Sequence, residues 1–233
     1  MSIKKLEVMP TLTEAVGLGI KNVLPLLCTV VLYIITVWIP WLNVGTTVGL
    51  YRVVIDLGKG KTINPMSLFD KKNFDNIGNF FLLQGLLSIG ISAALVFMFI
   101  PGIIMGIAWG YAIYILIDKK VRPIKALALS DKATYGEKWT IFLIDFIVAF
   151  VISLVASLLA LIPKVGPLFA FLVAIAGSAI AVAVNAVLYR HFSKKVDELI
   201  AEEAAAVVET AAIAPKAAKK EEPKVEKEEK PAE

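Results

Sequence analysis

Four polar side chains lie inside otherwise apolar segments of this chain, where they could bind a ligand or hold a charge. They are Arg52, Gln84, Asp145 and Asn185. A polar or ionisable group is costly in hydrocarbon and usually faces protein or a water-filled cavity, so such residues mark sites in membrane proteins. Each of the four lies near the end of its segment that is flanked by basic residues. We therefore predict one polar pocket that opens at that end and suits a lipid headgroup, a small ligand or a partner protein.

Arg52 and Asp145 lie at matching depths. Each is about six residues from the basic end of its apolar segment, which at 1.5 Å per residue places both roughly 9 Å inside. Their opposite charges and shared depth predict an ion pair. The alternative is that Arg52 extends to the membrane surface while Asp145 pairs with a nearby lysine such as Lys138.

The common catalytic and metal-binding motifs are absent from the sequence. It has no Gly-x-Ser-x-Gly elbow, no phosphate loop, no His-Glu-x-x-His and no acidic cluster spaced for a metal. Ser130 has no plausible base beside it and is expected on a helix surface or at a helix cap. Asp118 and Asp131 are expected to be solvated partners of the lysines around them. We therefore expect neither catalysis nor a bound metal or cofactor.

Cysteine and histidine each occur once, as Cys28 and His191. A single cysteine excludes an intrachain disulfide and a thiolate metal cluster. His191 ends the last apolar segment and is expected to be a bystander at the membrane interface.

The composition indicates the class of protein that must position these residues. The sequence is 58% hydrophobic and 19% charged, with a mean hydropathy of +0.77, which excludes a soluble globule. Six apolar segments approach the length that spans a bilayer, at 23–39, 41–57, 77–99, 102–117, 139–162 and 168–189. We predict an all-α polytopic membrane protein with six transmembrane helices. Because the second segment contains Arg52 and Asp56, a five-helix arrangement is the alternative.

Basic residues concentrate in alternate connections between these segments. The groups are Lys4 and Lys5; Lys59, Lys61, Lys71 and Lys72; Lys119, Lys120, Arg122, Lys125, Lys132 and Lys138; and Arg190, Lys194 and Lys195. The other connections contain only Lys164. By the positive-inside rule both termini face the cytoplasm, and we expect the bacterial inner membrane. Five spans would place basic connections on both sides, so the same distribution favours six.

Three Ile-Pro dipeptides predict an internal repeat. Pro40, Pro101 and Pro163 each follow an isoleucine, at spacings of 61 and 62 residues. Proline cannot continue the preceding helix but is tolerated in the first turn of the next, so each marks a tight turn. We predict three helical hairpins within a membrane domain of residues 1–195, at about 8–62, 63–121 and 122–195, each preceded by an amphipathic helix on the cytoplasmic side. Residues 196–212 should extend the last helix, and the Lys, Glu, Pro and Ala of 213–233 predict a disordered tail.

Glycines follow the first two turn prolines at helical spacings. They are Gly45, Gly49, Gly102, Gly106 and Gly110. Glycine allows two helix axes to approach closely in lipid, so these residues predict packing stripes along which the second helices of the three units meet around a pseudo-threefold axis. The alternative is that each glycine packs within its own hairpin.

One stretch resembles known protein families. "IPGIIMGIAWGYAIYILID", then "ALALS" and "GEKW", resembles the signature of uncharacterised bacterial integral membrane families related to the membrane domain beside some glycerophosphodiester phosphodiesterases. The matching residues are Ile100, Pro101, Gly102, Tyr111, Asp118, Ala126, Leu127, Ser130, Gly136 and Trp139. The resemblance implies a six-span inner-membrane protein and brings no established activity. The soluble catalytic barrel of the phosphodiesterases does not fit in this chain.

These observations favour a non-enzymatic membrane protein that binds or organises lipids or partner proteins at the inner leaflet. The partner could be a second copy of the chain. A small-molecule transporter or exporter component is the alternative. The basic pI of about 9.0 reflects loops that attract anionic lipid, so nucleic-acid binding is not expected.

The charge distribution gives a first testable prediction. A reporter enzyme that is active only outside the cytoplasm should be silent when fused after Ala212, because every basic connection lies on the side of the termini. The same reporter inserted after Lys164 should be active. Activity of the Ala212 fusion would reject the six-span topology.

Overall fold

The structure, a computed structural model, describes residues 5–218, with side chains described to residue 206. These residues are helical and contain no strand, so the all-α prediction is confirmed. Two short 3-10 helices, Pro65–Phe69 and Lys71–Phe74, lie between the third and fourth α-helices. The α-helices are α1 (Val8–Lys21), α2 (Val23–Thr36), α3 (Pro40–Gly58), α4 (Ile77–Phe97), α5 (Phe99–Trp109), α6 (Ala112–Lys119), α7 (Pro123–Thr134), α8 (Lys138–Ala160) and α9 (Gly166–Ala218).

Among the described residues, four helical segments are long and apolar enough to cross a membrane. They are α4, α5 with α6, α8, and the part of α9 within Gly166–Ala206. A fifth is possible if α1 and α2 count as one span, but these helices meet at an angle of 82°. The structure thus has four or five candidate spans, and the six-span arrangement stays a prediction.

The first hairpin, α2 and α3, falls short of two full spans for two physical reasons. The 14 residues of α2 measure about 21 Å, against about 30 Å of hydrocarbon. The 19 residues of α3 are long enough but include Asn43, Arg52 and Asp56, which lower its hydropathy. Arg52 and Asp56 are the residues that made a five-helix arrangement the alternative in the sequence analysis.

The three turn prolines lie at the helix connections. Pro40 is the first residue of α3, Pro101 is the third residue of α5, and Pro163 lies between α8 and α9. The residues before α3 and α5, Ile39 and Met98, are extended, so the chain leaves the preceding helix before the proline-containing turn begins.

The predicted packing glycines divide into two groups. A Cβ at Gly45 would overlap the ring of Phe74, and one at Gly49 would lie 2.8 Å from the Cα of Leu68. A Cβ at Gly102 would overlap Leu95 of α4, the other helix of its own hairpin. Gly102 thus packs within its own hairpin, as the alternative predicted, whereas Gly45 and Gly49 pack against Leu68 and Phe74, which belong to the second predicted unit.

Gly106 and Gly110 do not belong to a continuous stripe. A Cβ at Gly106 would have no atom within 4 Å. A Cβ at Gly110 would contact only the backbone carbonyl oxygens of Gly106 and Ile107, in the preceding turn of the chain. The prediction assumed one continuous helix, but α5 ends at Trp109 and α6 begins at Ala112. The pseudo-threefold axis therefore has no support from these two glycines.

The buried core lies toward the end of the bundle that carries the lysine-rich connections, here called the basic end. It combines the second half of α3, all of α6 and the middle of α9. Four tyrosines join these helices: Tyr51 meets Tyr114 edge to face at 5.0 Å, and Tyr114 stacks on Tyr189 at 5.3 Å, with Tyr111 beside Tyr114 at 6.0 Å. Apolar side chains at the other ends of the helices, such as Phe97, are exposed, as expected for a surface covered by lipid.

The chain divides into two compact units, Met1–Val196 and Asp197–Glu233. The membrane domain of 1–195 stays a prediction. Residues 196–212, predicted to extend the last helix, belong to α9. This helix continues to Ala218, so it includes the beginning of the segment predicted to be disordered, and residues 219–233 lie outside the described residues.

Comparison of Gly49→Ala with Gly106→Ala should separate close packing from helix propensity. Alanine favours a helix over glycine by about 1 kcal/mol at either position. At Gly49 the added methyl overlaps backbone, which should cost roughly 1–3 kcal/mol, whereas at Gly106 it enters open space. Gly49→Ala should therefore lower the melting temperature in detergent, and Gly106→Ala should leave it unchanged or raise it. Equal effects of both would contradict the packing described here.

Candidate functional site

The connection between α3 and α4 folds onto the glycine face of α3. The side chain of Asn73 is buried there, and its Nδ2 donates to the carbonyls of Ser67 and Leu68, both at 2.9 Å. These bonds fix the two 3-10 helices, and the missing side chains at Gly45 and Gly49 give them room. The connection thereby brings Lys72 over the second half of α3.

Arg52 on α3 is held by this connection. Its Nη2 donates to the carbonyl oxygen of Lys72 at 2.8 Å. Its Nε is buried and has no hydrogen-bond partner in the described part of the chain. A buried donor without an acceptor costs free energy, so the guanidinium is fixed in place with unused capacity to bind an acceptor.

A cavity of about 430 Å³ opens beside Arg52 at the basic end; it is here called the basic pocket. Three basic side chains and one carboxylate line it together with apolar residues. None of the four charged groups is in an ion pair within the described residues. The lining is Val48, Arg52, Lys72, Asp75, Asn76, Phe80, Leu116, Ile117 and Lys120.

Two residues of the basic pocket have left-handed backbone conformations. Asn76 has φ 64° and precedes α4, while Lys120 has φ 51° and follows α6. These conformations turn the chain sharply, so that the start of α4 and the end of α6 meet at the pocket. The N-terminal dipole of α4 adds positive potential to that of the basic side chains.

The four predicted pocket residues do not share one pocket. Arg52 lines the basic pocket, Asp145 and Asn185 line a second cavity between α8 and α9, and Gln84 is exposed on α4. Equal depth specifies the position of a residue along its helix but not the direction in which its side chain leaves the helix axis. The sequence therefore could not determine whether the four residues share one pocket.

The predicted ion pair between Arg52 and Asp145 is absent, and so is its alternative. Arg52 donates to a backbone carbonyl, and Asp145 has no hydrogen-bond or ion-pair partner among the described residues. Lys138, the alternative partner of Asp145, pairs instead with Asp131 at 2.8 Å.

Protein family models, curated proteins and solved structures contain no match to this chain. The geometry alone therefore supports the functional argument. In the described part of the chain, no group of three or more His, Cys, Asp or Glu side chains is placed to hold a metal ion.

The sequence analysis missed a buried charged cluster at the start of α8. The Glu137 side chain is 6% exposed; its Oε2 lies 2.9 Å from Nε2 of His191, and its Oε1 lies 3.0 Å from Nζ of Lys195. The backbone N–H of Leu6 donates to the same Oε1 at 3.3 Å. His191 is thus no bystander. Its spacing of four residues from Lys195, which places both on one helix face, was the available signal.

Two further polar groups differ from the sequence-based expectation. Ser130 is buried and its Oγ donates to the carbonyl of Ala108 at 2.7 Å, so it joins α7 to α5 and does not lie on a helix surface. Asp118 is 7% exposed instead of solvated; it pairs with Lys59 and accepts a hydrogen bond from the Tyr189 hydroxyl at 2.9 Å.

The Glu137 cluster predicts a pH dependence of stability. Burial raises the pKa of the Glu137 carboxyl, but the hydrogen bond from Lys195 and the charges of His191 and Lys195 outweigh burial, so its pKa lies below the ordinary value of 4.5. The unfolded chain binds this proton more readily, so the carboxylate stabilises the fold above pH 4.5, and this contribution is lost as the pH falls through the lowered pKa.

Glu137→Gln should therefore lower the melting temperature at pH 7 and differ less from wild type as the pH falls below 4.5. Asp131→Asn, which removes an exposed partner of Lys138, is the matched control and should change little at any pH. A Glu137→Gln deficit that is constant across this range would show that the carboxylate charge does not stabilise the fold.

Proposed function

We propose that this protein is a non-enzymatic membrane protein that binds anionic lipid headgroups of the inner leaflet in the basic pocket. The observation that carries the proposal is the Arg52 guanidinium, which the Lys72 carbonyl holds at the pocket without a carboxylate partner, beside two further cations, Lys72 and Lys120. A phosphate oxygen supplies the acceptor and the negative charge that this arrangement lacks.

The walls of the basic pocket favour a lipid over a free phosphate compound. Val48, Phe80, Leu116 and Ile117 provide apolar surface next to the charged groups. The pocket lies where the candidate spans α4 and α6 reach the basic end. A headgroup held there would keep its acyl chains on the exposed apolar sides of these helices, and lysines in this position attract anionic lipid.

The proposal includes a bacterial inner-membrane location with both termini in the cytoplasm and three hairpins of two helices. The order of elements supports it: α1 precedes α2 and α3, the two 3-10 helices precede α4 to α6, and α7 precedes α8 and α9. The basic connections and the resemblance described above support the same topology. On this topology the basic pocket faces the cytoplasmic leaflet.

A different observation favours the alternative, a small-molecule transporter or exporter component. Tyr33 and Thr36 of α2 face Thr47 and Thr46 of α3, and each pair has its oxygens 3.3 Å apart. Polar groups therefore continue toward the outer end of the first hairpin. The proposal also includes a protein partner, which could be a second copy of the chain.

Arg52→Gln should weaken lipid binding, because it removes the fixed charge and the unpaired donor. The full chain would be placed in phosphatidylcholine nanodiscs with increasing phosphatidylglycerol, and bound phosphatidylglycerol would be counted by native mass spectrometry after release. We expect a loss of about tenfold in apparent affinity, the magnitude of one charge-assisted contact.

Arg190→Gln is the charge-matched control, because Arg190 forms an exposed ion pair with Glu14 outside the pocket. It should bind phosphatidylglycerol as the wild type does. Equal losses in the two variants would mean that lipids respond only to total charge and would reject the pocket. Competition by inorganic phosphate at millimolar concentration would show that a soluble phosphate compound, and not a lipid, is the ligand.

A further inference from the structure

Two adjoining cavities, each open on one side, lie away from the basic pocket, and the Asp145 side chain that borders one of them is exposed. One, of about 330 Å³, is bordered by α8 and α9 and includes Asp145 and Ser153. The other, of about 250 Å³, is bordered by α2, α3, α6 and α9 and includes Tyr33, Tyr51 and Tyr114. Together they are here called the polar cavity, and they share no lining residue with the basic pocket.

The two parts of the polar cavity meet along one face of α9. Ser178, Ala181 and Asn185 line both parts. The Nδ2 of Asn185 donates to the carbonyl of Ala181 at 2.9 Å, and the Ser178 Oγ donates to the carbonyl of Ile175 at 2.7 Å. These bonds use the Ser178 hydroxyl donor and one of the two N–H donors of Asn185, and they leave the Asn185 Oδ1 and the Ser178 lone pairs as acceptors.

Asp145 is the only ionisable group with a negative charge in the polar cavity's lining, and no basic residue accompanies it there. It forms no hydrogen bond or ion pair with any described residue. Tyr111 and Tyr114 lie within electrostatic range of its carboxylate, and neither can neutralise it. A carboxylate in such surroundings requires a cation or a proton.

The other residues that line the polar cavity determine which kind of cation it favours. The described residues offer one carboxylate, hydroxyls and an amide oxygen, and no group of ligands placed for a metal ion. Tyrosine rings border the same space, and aromatic rings attract ammonium groups through their π faces. Both parts of the cavity are far larger than a bare ion.

We infer that the polar cavity is a binding site for a small organic ammonium cation, held by the Asp145 carboxylate, the acceptors of Ser178 and Asn185, and the tyrosine-lined part. This site goes beyond the proposed lipid function and does not depend on it, because a different set of residues forms it. No covalent step is involved.

The test uses choline chloride as the probe and its uncharged isostere, 3,3-dimethylbutan-1-ol, as the comparison. Thermal unfolding of the full chain would be followed in detergent at constant ionic strength. Choline should raise the melting temperature saturably, and the isostere should not. Asp145→Asn should weaken the apparent affinity for choline by about tenfold or more, because the charged contact is lost. Asp131→Asn, which removes a carboxylate outside the cavity, should bind as the wild type does.

A second measurement on the wild-type protein applies if Asp145→Asn does not fold. A hydrophobic carbodiimide forms an adduct with carboxyl groups in apolar surroundings, and peptide mass spectrometry would report the rate of modification at Asp145. Choline should slow this rate at least about fivefold, because a bound ammonium covers the carboxyl. The inference is overturned if choline and its isostere act alike, if Asp145→Asn retains wild-type affinity, or if choline leaves the labelling of Asp145 unchanged.

Discussion

The structure depends on one constraint: a charge that leaves water must find a partner of opposite sign or a polar space. At the basic end this constraint is met by pairs. Asp118 pairs with Lys59, and Glu137 lies between His191 and Lys195. Replacing one member of such a pair leaves the other uncompensated, which is more costly than the net stabilisation that the intact pair provides.

Within the described part of the chain, two ionisable groups that line cavities, Arg52 and Asp145, depart from this pattern. Arg52 has an unsatisfied buried donor at the basic pocket, and Asp145 has no partner at the polar cavity. Buried unsatisfied polar groups are rare in folded proteins, which makes the Arg52 Nε informative, whereas Asp145 is exposed to the cavity that it borders. The two sites carry opposite charge, so the proposed ligands are chemically distinct: an anion at the basic pocket and a cation at the cavity bordered by α8 and α9.

The sequence predicted the helices well because long apolar runs and proline turns are local signals. Five of the six apolar segments each coincide with one helix, the segment 102–117 covers α5 and α6, and α3 begins at Pro40 as expected. The sequence predicted contacts between helices poorly, because the depth of a residue along its helix does not determine how the helix is rotated about its axis. Arg52 and Asp145 match in depth and still face different cavities. The packing prediction for Gly106 was wrong for a related reason, since the break between α5 and α6 interrupts the assumed stripe of glycines. Glu137 lies between two elements, where periodicity gives no information.

The hydrogen bond from Leu6 to Glu137 joins residues 131 positions apart, and the same carboxylate also requires Lys195. During synthesis α1 precedes all the groups that hold its leading residues: Glu137 follows α7, and His191 and Lys195, which complete the cluster, come only after α8 and more than half of α9. The spans must therefore enter the membrane while α1 still lacks this attachment. Completion of the Glu137 cluster is consequently a late event in biogenesis, and an α1 that has not yet been captured is the segment that a membrane insertase or a protease would encounter.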